Sequence, residues 1–378
     1  MEILRELVAI ASPSAVSNAP LIAYVERLLR GHGWVTRRVA YEDANGVEKI
    51  NLIAVPEQHA DALPKVELAF VCHTDTVPFR ADWKGALRLE ELDGALHGCG
   101  ACDVKGSMAC LLAAALAMDA KGLKKPVALV LTADEEIGCV GATKLLAAKA
   151  IAPRMAVICE PTSLHPATAG KGYGLAQVKV TGVEAHSALP ANGVSAIAVA
   201  AQVVDAVVEL ERDKAEKEDE IFDPPCTTFN VGLIQGGTAK NIIPGECVMT
   251  VEWRPVPGED AARGGQRLRA LVHEIEARNP GSRIEVEVLR ADMGFARAEG
   301  PQLGPMLAAM LGRGEKGISF GSEATRFANV AHEVVVIGPG DMRTAHSDRE
   351  CVAVAELQEW TECVRKLMLG IERQVEDA

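Results

Sequence analysis

Apolar runs of strand length alternate with helix-period segments through the first 160 residues, and no other feature of the chain narrows its fold as much. Residues 34–41, 51–55, 66–72, 127–132 and 155–159 read as strands. Residues 1–11, 20–30, 105–121 and 141–150 carry apolar positions at helical spacing. Between them, 87–92 and 95–97 form a short hairpin about Asp93-Gly94, a pair that accepts the positive φ of a tight turn. Parallel neighbours need long crossovers, which helices supply. The expected fold is therefore α/β: a mixed, mostly parallel sheet flanked by helices.

The middle of the chain has another rhythm. Strand-like segments at 173–181, 227–234, 246–254 and 283–289 surround helices at 194–210 and 261–278, with a charged stretch at 211–220. The order β-α-β-β-α-β predicts an inserted α+β, ferredoxin-like domain. Helix, strand and helix then return at 301–311, 334–337 and 350–369. The chain has 378 residues, enough for two or three domains. The expected division is a catalytic domain from 1–171 and 291–378, interrupted by an inserted dimerisation or lid domain at 172–290.

Composition removes several functions. Acidic residues outnumber basic ones, 52 to 39, for a net charge of -13. That opposes a nucleic-acid partner, which needs a basic face, and an anionic membrane surface. The longest apolar run, around Met108 to Met118, falls short of the ~20 residues that span a bilayer. The first residues lack the basic region of a signal peptide. Ten irregularly spaced cysteines read as reduced thiols in a cytoplasmic protein.

Metal-competent side chains gather in a few places. His73-Thr74-Asp75, Asp134-Glu135-Glu136 and Glu160 each follow a predicted strand; Asp103 stands in the turn before a helix. His346 lies in the loop after 334–337. In open α/β sheets ligands bind at the carboxyl ends of the strands. Each residue alone has an ordinary explanation: a surface histidine, an N-cap for Asp103, a solvated Glu135-Glu136 pair. Together they place two histidines and several carboxylates on one sheet edge, a donor set suited to one or two divalent ions such as zinc. Burying so many carboxylates without a cation would be costly.

The segments CHTDTVP (72–78), GCGACDVKG (98–106), TADEEIGCVGA (132–142), CEPT (159–162), GVEAHSALP (182–190), GGTAKNIIPG (236–245), EWRPVPG (252–258) and GPGDMRTAHSDRE (338–350) carry a resemblance. In content and order they resemble the di-zinc metallopeptidase and deacylase family of acetylornithine deacetylase, succinyl-diaminopimelate desuccinylase, aminoacylase and glutamate carboxypeptidase. The resemblance implies that Asp103 bridges two metal ions, zinc or else cobalt or manganese. His73 and Glu160 would complete one site, Glu136 and His346 the other. Asp75 would bond the far nitrogen of His73 and fix its tautomer. Glu135 would be the general base for a metal-bridged water that attacks an amide carbonyl. The resemblance also implies a cis peptide at Asp103-Val104. It further implies a homodimer formed through the inserted domain, with His186 reaching the partner's site to stabilise an oxyanion. Asn241 and Arg254 would hold the substrate, Arg254 through its α-carboxylate.

Cys99, Val104 and Cys159 depart from the family's usual residues, but none stands at an implied ligand position. Gly98-Cys99-Gly100 lacks the third glycine of a dinucleotide loop, and Cys99-x-x-Cys102 has no second pair to complete a zinc site. Gly321-Ser322-Glu323-Ala324 resembles the Gly-Thr-Glu-Ala segment of acetylornithine deacetylases. Glu323 would then face a cationic side chain; the alternative is an acid at a helix N-terminus capped by Ser322. The implied reaction is removal of the acyl group from a small N-acyl amino acid, first N2-acetyl-L-ornithine in arginine biosynthesis. Succinyl-diaminopimelate desuccinylase and a small-peptide metallo-carboxypeptidase are the alternatives within the family. A non-catalytic metal-binding relative would be expected to lack the base or a ligand, and here all are present.

Overall fold

The computed structural model of the chain describes residues 1–212 and 219–370, so most of the charged stretch at 211–220 lies outside the described residues. It divides into two compact units. The first comprises Met1–Thr168, Arg297–Lys316 and the chain from Ser322 onward; the second comprises Ala169–Ala296 and Gly317–Gly321.

An eight-stranded sheet organises the first unit. Its order is Trp34–Glu42, Glu48–Pro56, Val127–Thr132, Lys65–His73, Ala152–Ile158, Glu333–Val336, Ala167–Gly170 and Lys316–Ile318. Val127–Thr132, Lys65–His73, Ala152–Ile158 and Glu333–Val336 run parallel. Antiparallel pairings attach Trp34–Glu42 and Glu48–Pro56 on one side and Ala167–Gly170 on the other. The parallel strands are apolar nearly throughout because both their faces are covered, as the burial of Val127–Thr132 at every position shows. Helix Lys105–Leu116 is buried almost all round and packs in one core with Glu2–Ala9, Ala19–Leu29 and Val354–Gly370. Among the described residues no helix is long and apolar enough to cross a membrane, and no disulfide links any of the ten cysteines.

Two helix boundaries differ most from the periodicity. The helix expected to 121 ends at Leu116, and a short 3-10 turn follows at Ala120–Gly122. The helix expected from 350 begins at Val354, after the short strand Cys351–Ala353. Glu350 is withdrawn from that helix because its carboxylate serves another loop, described below.

The second unit has the element order β-α-β-β-α-β: Tyr173–Thr181, Ala196–Arg212, Thr228–Gly236, Glu246–Arg254, Ala262–Arg278 and Arg283–Asp292. Its sheet is antiparallel, with Tyr173–Thr181 and Glu246–Arg254 in the centre. Trp253 is fully buried and lies against two glycines. A Cβ on Gly174 would stand 1.8 Å from its ring, and one on Gly264 would stand 2.3 Å from its indole nitrogen. That close approach seats the strand whose last residue is Arg254. Gly317–Gly321 joins this unit through Gly317 N–H to Ile221 O and Lys171 N–H to Ile318 O.

Candidate active site

The ends of the central strands set the geometry. His73 is the last residue of Lys65–His73. Glu160 follows Ala152–Ile158, and Asp134-Glu135-Glu136 follows Val127–Thr132. The loop after Glu333–Val336 is laced to the Glu160 segment by Thr162 N–H to Gly338 O and Ser163 N–H to Gly340 O. Gly338 permits this, since a Cβ there would lie 2.7 Å from Glu160 O. The loop then brings His346 to the same edge.

Asp103 stands at the centre and is 6% exposed. One oxygen, Oδ1, faces His73 Nε2 at 3.0 Å; the other, Oδ2, faces His346 Nε2 at 3.2 Å. Glu160 Oε1 lies 4.0 Å from His73 Nε2, and Glu136 Oε2 lies 3.1 Å from His346 Nε2. Two triads result, His73–Asp103–Glu160 and Asp103–Glu136–His346, and the ligand atoms within each lie within 4.8 Å of one another. Asp103 is not a helix cap: the N-cap position is Val104, without a side-chain cap bond. Asp103-Val104 is cis, as the resemblance implies.

The electrostatics fit a cation. Burial opposes ionisation of Asp103, yet His346 and His73 hold it well below the ordinary carboxylate range. Burial pushes Glu160 well up, and Asp103 beside it adds to the shift. Desolvation pushes Glu135 up to about 8; His73 opposes the shift, and Glu136, Glu323 and Asp75 add to it. Hydrogen bonds that His346 donates to Asp103 and Glu136 raise it to about 10. Protonation is how this cluster of acids relieves its own repulsion, and divalent ions would do so while keeping the carboxylates ionised.

Asp75 acts differently from the expectation. The Nδ1 of His73 meets the backbone carbonyl of Asp75 at 2.9 Å, whereas the carboxylate lies 3.8 Å away. The carboxylate is occupied elsewhere, accepting from Ser14 Oγ at 2.7 Å, Glu135 N–H at 3.0 Å and Glu136 N–H at 3.2 Å. Residue 75 thus still holds the far nitrogen of His73, through its main chain.

Glu323 is 1% exposed. It occupies the N-cap position of Ala324–Phe327 but makes no cap bond; Ser322 Oγ accepts from Ala324 N–H instead. Its carboxylate faces the Thr132 hydroxyl without a well-formed hydrogen bond to it. Burial pushes it up to about 7, while His73 pulls it down.

His186, Asn241 and Arg254 belong to the second unit. His186 and Asn241 are exposed neighbours on a small ribbon, where Ala185–His186 pairs with Ile242–Ile243 and Ser187 N–H donates to Asn241 O. The Nδ1 of His186 accepts from Ala188 N–H at 3.1 Å, so the neutral ring carries its proton on Nε2. The Arg254 guanidinium stacks 4.3 Å from the Tyr173 ring centroid.

Several supporting residues escape sequence reasoning. Glu350 Oε1 accepts from Cys102 and Asp103 N–H, and its Oε2 from Gly100 N–H, all at 3.0 Å, so it fixes the loop that carries Asp103. Cys139 Sγ donates to Glu135 Oε1 at 3.3 Å. Burial pushes the Cys99 thiol up to about 11, which opposes a redox role for the Cys99–Cys102 pair.

Residues 69–370 match the model of peptidase family M20/M25/M40. The chain belongs to this family. It is also 44% identical over 355 residues to an acetylornithine deacetylase of Myxococcus xanthus, covering 94% of this chain and 92% of that one. These likenesses make it a metal-dependent hydrolase. Among solved structures, a tripeptidase of Staphylococcus aureus has a TM-score of 0.82 at 19% identity, covering 99% of this chain and 98% of its own. A dinuclear metal-binding peptidase of the M20 family from Bacillus subtilis has a TM-score of 0.66 at 15% identity, covering 98% and 96%. At those identities the structures speak for the fold alone.

Proposed function

We propose that the chain removes the acyl group from an N-acyl amino acid, with N2-acetyl-L-ornithine as the foremost substrate. The observation that carries the chemistry is Asp103, which turns one oxygen to each imidazole. That is the arrangement of a carboxylate serving two ions. His73, Asp103 and Glu160 would hold one ion and Asp103, Glu136 and His346 the other; histidine with carboxylate suits zinc, cobalt or manganese. Bound there, the ions would polarise the amide carbonyl and acidify water. Glu135 takes the proton of the attacking water and returns it to the leaving amine. Exposed His186 offers its Nε2–H to the oxyanion that develops in the partner subunit's site. Arg254 and Asn241 bind the substrate, the arginine through its fork onto a carboxylate.

Two features support the substrate. The Myxococcus relative matches along nearly the whole chain, and Glu323 keeps a buried carboxylate in want of a cation. Homodimerisation through the second unit accords with its edge strand Thr228–Gly236, where Leu233 is 70% and Ile234 is 53% exposed. A cytoplasmic setting accords with ten cysteines that form no disulfide among the described residues.

Release of primary amine tests the assignment. The zinc- or cobalt-loaded protein is assayed with N2-acetyl-L-ornithine, N-succinyl-L,L-diaminopimelate and a small dipeptide. Preference for acetylornithine is expected. Preference for either other substrate would retain the chemistry and discard the substrate.

A further inference from the structure

Asp134 opens the Asp134-Glu135-Glu136 turn, yet it belongs to neither metal triad. Its φ is +57°, in the left-handed region that non-glycine residues enter at a cost. It is also sealed from water. Lys49 Nζ donates to its Oδ1 at 2.9 Å, with both side chains 1% exposed, and Tyr41 OH donates to its Oδ2 at 2.8 Å. Tyr41 and Lys49 are direct cross-strand partners, so one rung of the sheet grips both oxygens.

Lys49 reaches further. Its remaining donors go to the carbonyls of Ser14 and Val16. The Ser14 hydroxyl in turn donates to Asp75, the carboxylate that accepts the N–H groups of Glu135 and Glu136. The path from Lys49 therefore closes on the same turn from two sides: through Asp134 at its start, and through Ser14 and Asp75 at the next two residues. A buried ion pair contributes little net stability compared with apolar packing, whereas a closed loop of contacts can fix a backbone angle.

We propose that Lys49 and Asp134 are a positioning pair for the proposed reaction, holding the left-handed turn that aims Glu135 at the substrate and Glu136 at its metal. The proposal rests on those two roles. Neither residue of the pair need touch substrate or metal. Asparagine, like aspartate, tolerates the left-handed region, so Asp134→Asn can keep the angle and the Tyr41 contact when its cation is absent.

The test uses the cobalt-loaded full-length protein, with folding checked by circular dichroism. Lys49→Met, which strands the buried carboxylate, is expected to lower kcat on the order of 10²-fold, with KM little changed, because small misplacements of a catalytic group cost that much. Its cobalt(II) absorption spectrum is expected to shift as Glu136 moves. Lys49→Met with Asp134→Asn removes both charges and is expected to restore most of kcat and the spectrum. Should Lys49→Met fail to fold, Tyr41→Phe carries the test, with a smaller fall in kcat and a smaller spectral shift. A folded Lys49→Met or Tyr41→Phe with wild-type kcat and spectrum would overturn the proposal, as would a double variant no better than the single one. If the unaltered protein hydrolyses no N-acyl amino acid, the substrate reading fails, and the cobalt(II) spectra still judge the pair.

Discussion

Asp103 and His186 show two ways in which this chain holds a polar side chain. Asp103 is 6% exposed, each of its oxygens faces an imidazole, and its own N–H is held by Glu350. His186 is exposed on a ribbon of two-residue strands, with Nδ1 tied to Ala188 N–H. A buried polar group must be satisfied inside the protein, so what positions Asp103 is folded in place. An exposed donor is satisfied by water until a substrate replaces it. In the proposed reaction the first arrangement suits an ion that stays and the second a charge that develops only in the transition state.

The sharpest way to break this contrast is at the shared carboxylate. Asp103→Ala should remove both ions after dialysis and bring turnover to background, because each triad loses a member. Metal analysis showing two ions retained per chain would end its role as a bridge. Glu135→Gln should come next. The fall in kcat is expected to be on the order of 10²–10⁴-fold, with metal content unchanged, since only proton transfer is lost. Loss of metal along with activity would make Glu135 a ligand. His186→Ala should cost about 10²–10³-fold in kcat, the range for removing an oxyanion donor. Its metal content and cobalt(II) spectrum should match those of the unaltered protein. An unchanged kcat would reduce the ribbon to a surface feature.

The same contrast explains what was legible in the sequence. His73, Glu136 and Glu160 stand at or just after ends of apolar strands, and strand ends can be read from hydropathy. Residues that hold them are harder to find, because their partners are remote in the chain. Glu350 bonds a loop about 250 positions earlier and gives up its place in the following helix to do so. Lys49 opens an apolar run and looks like a solvated strand end, yet it is 1% exposed and paired with Asp134. Ala167–Gly170 is built mostly of small residues with little strand propensity, Thr168 apart, and tertiary packing decides that it is a strand. Asp75 was readable as a partner of His73, but not which of its oxygens would serve, since the carboxylate's three donors converge only after folding. In the second unit, alternation exposed the strands at once. It could not show that His186 and Asn241 are neighbours, which depends on the pairing of Ala185–His186 with Ile242–Ile243.

The smallest expected effect falls at Glu323, which combines the two modes: it is buried like Asp103 and waiting like His186. A carboxylate this enclosed is costly to ionise without a partner, which is why burial pushes it up to about 7. An arriving ammonium group would ionise it and form a charge-assisted hydrogen bond, worth about 1.5–3 kcal/mol. Glu323→Gln keeps the shape and removes the charge. KM for N2-acetyl-L-ornithine should rise about tenfold or more, at nearly constant kcat, as expected when a ground-state contact is lost. KM for an N-acetyl amino acid with a neutral side chain should stay level or fall. The melting temperature should not drop, because the substitution removes a poorly satisfied acid from the interior. Equal losses on both substrates would mean that Glu323 serves the cluster through its charge on His73, and the recognition of a cationic side chain would have to be sought elsewhere.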